Sequence, residues 1–348
     1  MIQAWQTFLS QQGAQLENGY VVSFASNPAF PDNSLCPLGS WHLLRISGAD
    51  AETFMQGQFS NDVRLLDGQN SQLSSYNSAK GRMYSCFRLL KNADVYFLRL
   101  PADIADAVIK RLRMFVLRSQ VVIEDVSEQY VHLGLVGEKT AKALRQAGLT
   151  APDAINGISE KQGTLCLHLP GAVPRYELFV PADKAQPLWN SLCASLTPAN
   201  ENRWELAEIR SGQPEVYQAT LEAFVPQMAN LDLIGGISFN KGCYTGQEIV
   251  ARTHYLGKQK KRMYLLSTYG TDVNIGDKLF EHASDNTQSI GEVVRKARNE
   301  HDGYDFLAVM QIKSTLADLR LLDVNGESCD VEQQPYTIPG GDDTEKGS

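Results

Sequence analysis

The sequence predicts an α+β protein: two ferredoxin-like units followed by a small antiparallel β-barrel. Three observations lead there. Strand-like pairs occur without a helix between them, which argues against a doubly wound parallel sheet. The order strand, helix, strand pair, helix occurs twice, as in ferredoxin-like units. From Met263 onward, short strands alternate with turn signals every ~8–12 residues, the pattern of a small barrel.

The elements follow in order. Ile2, Trp5, Phe8 and Leu9 share one side of a short helix over 2–12, stopped by Gly13. Residues 1–25 form this lead-in. Residues 26–40 are rich in Asn, Pro and Ser and read as a loop that opens the first unit, 26–128. In that unit a strand runs from Trp41 to Ile46. A helix from Ser47 to Phe59 follows, with Ser47 and Asp50 at capping spacing. Strands come next at Leu73 to Asn77, Met83 to Leu90 and Val95 to Leu100. Pro101 suits the first turn of a helix whose face carries Ile104, Val108, Leu112, Phe115 and Val116. A β-branched strand, Val121 to Val126, closes the unit. The second unit, 129–200, has strands at Val131 to Val136, Thr164 to Leu169 and Tyr176 to Val180. Its helices are Glu138 to Gln146, ended by Gly148, and Asp183 to Leu196. A return segment, 201–258, holds a helix from Trp204 to Ser211. The barrel occupies 259–338, and 339–348 reads as a disordered tail.

Composition narrows the function classes. Apolar residues make up 43% and charged residues 21%, as in ordinary soluble domains. The net charge of −8 advertises no nucleic-acid surface. The N-terminus has no signal-peptide pattern, and no run approaches the ~18 apolar residues of a membrane span. The six cysteines are scattered, with no two within four residues. That spacing removes C-x-x-C zinc and redox motifs, predicts no metal site, and fits a reducing cytoplasm.

The densest motif is Lys241-Gly242-Cys243-Tyr244-Thr245-Gly246-Gln247-Glu248. It sets a cysteine in a glycine-bracketed turn, two residues after a lysine. Thr245 and Glu248 have capping-box spacing, so a helix is expected to start there and run through Arg252. Cys243 then lies just outside a helix N-terminus, where unpaired N–H groups favour negative charge. That place and Lys241 both favour a thiolate. A glycine-rich turn can also hold a cysteine as a small apolar filler, but here the cap, the glycines and the lysine agree on a reactive thiol.

The octet, the preceding run Phe224 to Asp232, then Gly235-Gly236-Ile237-Ser238-Phe239, and Val250-Ala251-Arg252 together resemble the signature of the YgfZ family. A second block also fits, from Phe54-Met55-Gln56-Gly57-Gln58 through Asn61-Asp62-Val63 to Lys80-Gly81-Arg82-Met83. The likeness runs in order over roughly residues 36–336. These are folate-binding proteins linked to iron–sulfur cluster maintenance and tRNA modification. They share the fold of the glycine cleavage T-protein, an aminomethyltransferase.

The resemblance implies a tetrahydrofolate cofactor, or a one-carbon derivative of it. Trp41 and Trp204 match tryptophans implicated in folate binding, and each by itself reads equally as a core residue. Lys80 and Arg82 would edge the pocket. The implied working thiol is Cys243, with Lys241 in support and Gly242, Tyr244, Thr245, Gly246, Gln247, Glu248 and Arg252 as its motif. Two departures matter. Arg210 stands where T-proteins and some YgfZ relatives carry a pterin-binding glutamate, and a guanidinium cannot accept a hydrogen bond; either another acceptor serves, or the folate sits differently, or Arg210 instead meets a folate carboxylate. Tyr84 and Ser85 replace an acidic pair that includes the catalytic aspartate of T-proteins. Lys258, Lys260, Lys261 and Arg262, near His254, form a basic cluster. It reads as a solvated linker or as a contact for a polyglutamate tail or RNA phosphate. No RNA-binding module accompanies it, so direct tRNA binding is not expected. The implied function is an accessory protein, partnered by iron–sulfur enzymes such as those that thiolate tRNA. The alternative is a folate-dependent one-carbon transferase of the aminomethyl type, and the lost carboxylates count against it.

Overall fold

The computed structural model describes residues 2–25, 27–257, 259–282 and 288–339. Lys258 and nearly all of the expected tail, 340–348, lie outside the described residues. The fold is α+β, with two sheets of ferredoxin-like character and a closed antiparallel barrel. The chain divides into two compact units. One comprises 1–54, 63–72 and 88–207; the other comprises 55–62, 73–87 and 208–348.

One sheet has five strands in the order Ser71–Asn77, Met83–Asn92, Val95–Pro101, Trp41–Ser47 and Val122–Asp125. In the six-stranded sheet the order is Ile158–Lys161, Thr164–Leu169, Arg175–Pro181, Tyr130–Val136, Ser34–Pro37 and Thr197–Pro198. Only the last pair is parallel. Both central strands of that sheet are buried along nearly their whole length, as expected where both faces are covered. On one side lies a core of Trp5, Phe8, Leu9, Leu144 and Trp189. Trp5 meets Trp189 edge-on at 5.5 Å.

The barrel runs Lys261–Tyr269, Gly303–Gln311, Gly291–Arg298, Lys278–Glu281, Leu319–Leu321 and Ser328–Val331, and the last strand pairs back to the first. Closure leaves no free edge. Leu266, Val293, Phe306, Ala308 and Leu321 are among the residues that fill it.

Several elements differ from the sequence reading. The helix expected over 47–59 is only Ala51–Gln56. Ser47 ends a strand, Gly48 turns the chain at φ +112°, and the Asp50 carboxylate accepts the Gln120 N–H at 2.7 Å. In the helix Ala102–Val116, Phe115 is 42% exposed and does not join Ile104, Val108 and Leu112 on the buried face. The expected helix over 183–196 divides into a 3₁₀ turn and Ala185–Leu192, with Pro187 in the first turn, where no N–H is needed. The hairpin Ala14–Glu17 with Tyr20–Phe24 was not anticipated, although Asn18-Gly19 supplies the two positive-φ residues of a type I′ turn. The expected loop 26–40 contains the strand Ser34–Pro37.

Candidate functional site

In the second unit the motif helix begins later than the capping box suggested. It spans Gln247–Tyr255, capped by Gly246 at φ 82° with no side-chain cap bond. Thr245 does not cap; its N–H donates to Gly57 O at 3.3 Å. The reason is a close backbone crossing. A Cβ on Gly246 would meet Ser78 O at 2.4 Å, and one on Gly81 (φ +69°) would meet Ile249 Cβ at 2.9 Å. Two glycines at positive φ let the helix start rest on the Lys80-Gly81-Arg82 turn.

Lys241, expected beside a thiolate, is placed as a clamp. It is 7% exposed, and its Nζ donates to Phe59 O at 2.6 Å and Asn61 O at 2.9 Å. The ammonium also lies 5.1 Å from the Tyr244 ring centroid. Asn61 itself donates to Leu73 O and Gly235 O. The segment 57–62 is thus tied into the octet from several sides. Cys243 projects from this anchored turn and is exposed, and a Cβ at neighbouring Gly242 would meet nothing within 4 Å. Cys36, Cys86, Cys166 and Cys329 are buried, and Cys193 is half-buried. Burial pushes the thiols of Cys36, Cys166 and Cys329 up to about 12 and that of Cys193 to about 11.

The remaining cations of the second unit divide by partner. Arg210 binds Glu300 in a bidentate pair at 2.9 and 2.7 Å and reaches Asp305 at 2.7 Å. Its guanidinium is therefore held by two acids, which counts against the reading in which it meets a folate carboxylate. Arg262 is buried and bidentate to Asp232 at 2.6 and 2.9 Å, so it leaves the solvated basic cluster. Arg82 donates to the carbonyls of Glu222 and Ala223. Lys80, Arg252 and Lys260 are exposed.

Two polar residues flank the 78–82 turn: Asn77, which sequence reasoning missed, and Ser85, which it noted only for the carboxylate it lacks. Asn77 and Ser85 are fully buried, and among the described residues neither atom of the Asn77 amide nor Ser85 Oγ has a hydrogen-bond partner. Buried polar groups without partners are costly, so each calls for a specific explanation. The only sequence signal for Asn77 was a polar residue at the end of its strand run. Tyr84 is buried with its ring 5.5 Å from that of Tyr76.

In the first unit, Trp41 and Trp204 share one apolar cluster with Cys36, Phe97, Leu167 and Phe179. Trp204 does not begin its helix; it lies within Glu201–Arg210 and is 0% exposed. Its ring fits so closely over Gly134 that a Cβ there would come within 2.4 Å. Trp41 is 5% exposed, with the Arg99 guanidinium 3.9 Å over its ring. Beside Trp41 is a cavity of about 40 Å³, also lined by His42, His132 and Phe179. It has room for a few waters and not for a pterin. The helix start is tied to the Trp41 strand: the Glu201 carboxylate accepts Gly39 N–H at 3.0 Å and the N–H and hydroxyl of Ser40 at 3.2 and 3.0 Å. Burial first, then the Glu205 charge, push that carboxyl up to about 7.

Among the described residues, no three His, Cys, Asp or Glu side chains gather as a metal site, and no helix is long and apolar enough to cross a membrane. No family model matches the chain. Curated relatives do. It is 30% identical over 308 residues to "tRNA-modifying protein YgfZ" of Photorhabdus laumondii, covering 88% of this chain and 93% of that one. A protein of the same name from Colwellia psychrerythraea is 28% identical over 309 residues, covering 88% and 94%. Among solved structures, the glycine cleavage system aminomethyltransferase T of Bartonella henselae superposes with a TM-score of 0.71 at 15% identity, covering 95% of this chain and 96% of that chain. At that identity the likeness speaks for the fold alone.

Proposed function

The chain belongs to the YgfZ family, and we propose that it serves tRNA modification as a tetrahydrofolate-binding accessory protein with Cys243 as its working thiol. The display of Cys243 carries this reading: an exposed thiol on a turn whose flanks, Lys241 and Gly246, are fastened to neighbouring backbone. Such a thiol can meet a partner protein without reorganising its loop, and it suits a reducing compartment such as the cytoplasm. By the family resemblance, the partners are iron–sulfur enzymes, including those that thiolate tRNA. When bound, tetrahydrofolate supplies a reduced pterin able to carry a one-carbon unit. Asn77 and Ser85 support a bound pterin, because the Asn77 amide offers one donor and one acceptor side to a polar ring edge. The aminomethyl-transferase alternative has less support, since Tyr84 and Ser85 bring no carboxylate to a reacting nitrogen.

The experiment is complementation. Cells lacking the native protein receive wild type or Cys243→Ala, and thiolated tRNA nucleosides are measured by mass spectrometry. Wild type restores them and Cys243→Ala does not, although it folds. Full rescue by the alanine variant removes the thiol from the function. Separately, tetrahydrofolate binds saturably in isothermal titration calorimetry; no saturable heat up to millimolar ligand ends the folate reading.

A further inference from the structure

We propose that the C-terminal end of the helix Gln247–Tyr255 is a stacking platform for unpaired bases of single-stranded RNA. Phe239 and His254 are stacked face to face, with centroids 3.7 Å apart and planes 15° from parallel. Tyr255 stands edge-on to both, 4.8 Å from His254 and 6.3 Å from Phe239. The rings are not core residues. Tyr255 is 65% exposed, Leu256 is 84% exposed, and His254 is exposed as well. An exposed apolar and aromatic cluster of this kind marks a contact surface.

Charge selects the occupant. The eleven residues Arg252 to Arg262 contain five cations and no acid, in a chain whose net charge is −8. Arg262 is tied to Asp232, Lys261 is half-buried and Lys258 lies outside the described residues, which leaves Arg252 before the rings and Lys260 after them as exposed cations. The nearest acid along the helix is Glu248, one turn before Arg252. Prestacked rings bracketed by cations suit an unpaired base with phosphates on either side, since every base has a stacking face. A duplex hides those faces. The choice of RNA rests on the proposed role in tRNA modification; the rings and cations do not. This reverses the expectation from composition, because the fold concentrates on one helix end what the whole chain dilutes.

The test uses the full chain and a fluorescein-labelled single-stranded RNA of about 12 nucleotides, within the usual site size. Anisotropy is recorded from about 50 to 200 mM salt, with DNA of the same sequence and duplex RNA as further arms. The single-stranded RNA should bind, and more tightly than DNA or duplex. His254→Ala combined with Tyr255→Ala should weaken it by about tenfold or more, the loss expected for a stacked base. Arg252→Ala with Lys260→Ala should reduce the slope of log affinity against log salt by about 1.4. The ring variants should leave the calorimetric affinity for tetrahydrofolate unchanged, so failure here is distinct from failure of the folate reading. No binding at low salt, wild-type affinity in the ring variant, an unchanged salt slope in the cation variant, or DNA binding as tight as RNA overturns the proposal. A protein contact would then be left as the occupant of this surface.

Discussion

Trp204 in the first unit and Cys243 in the second are equally conspicuous in the sequence, yet their surroundings differ in kind. Trp204 is enclosed: it is 0% exposed, seated over Gly134, and part of an apolar cluster. Cys243 is displayed, and the strong contacts belong to its neighbours. Around the tryptophan, shape complementarity leaves no room for a ligand. Around the cysteine, a buried ammonium and two positive-φ glycines fix the backbone while the thiol stays in solvent. The family signature therefore sets enclosed and displayed residues in one pattern, and burial tells them apart.

The largest test of this contrast is Trp204→Ala. A fully buried indole replaced by a methyl leaves a cavity, and the expected loss is about 3–5 kcal/mol in denaturant unfolding. A loss below about 1 kcal/mol would mean that the ring is not core, and the contrast would break. Gly134→Ala sharpens it from the other side, since the added methyl must displace the ring at a cost of about 1–3 kcal/mol.

Lys241→Met comes next. It strips two carbonyls, Phe59 O and Asn61 O, of a charged donor inside the protein. Hydrogen bonds to charged groups and the penalty for orphaned partners put the loss at about 2–3 kcal/mol. An unaltered unfolding midpoint would return Lys241 to the thiol-supporting role that the sequence suggested.

The placement of Lys241 shows what the sequence could and could not carry. Alternation and turn residues located Thr164–Leu169 to the residue, because a strand's period is local. Ser328–Val331 escaped, being four mostly polar residues whose pairing is fixed by barrel closure. The octet was legible as a motif. The target of Lys241 was not, since its acceptors lie 182 and 180 residues away along the chain. The isolation of Asn77 was equally invisible, because an absent partner leaves no mark on the sequence. The late helix start at Gln247 was misread because capping spacing is local, whereas the approach of Gly246 to Gly81 is not.

Glu201 extends the contrast to pH. In the unfolded chain its carboxyl ionises near the ordinary value of about 4.3. In the folded first unit, burial and Glu205 raise it to about 7, against the opposing donors of Gly39 and Ser40. The folded state holds the proton longer, so this stability is fully present below about pH 4.3 and is lost as pH rises towards about 7. Glu201→Gln should flatten the stability profile across that window. A profile that keeps its slope would show that Glu201 ionises normally in the folded state.

The smallest effect on stability is expected at Cys243 itself. Its side chain is exposed, and the contacts that hold the turn come from Lys241, Thr245 and Gly246, so Cys243→Ala should change unfolding by less than about 0.5 kcal/mol. Reactivity should run the opposite way. Four of the other thiols are raised by burial, and all five are wholly or partly enclosed, so limiting iodoacetamide at neutral pH should label Cys243 first, as read by peptide mass mapping. Lys241→Met separates display from the anchoring of the turn. If the clamp only fixes the backbone, Cys243 still reacts first, because exposure survives when the turn loosens. If labelling of Cys243 instead falls to the level of Cys193, the ammonium was acting on the thiol and not only on the segment 57–62.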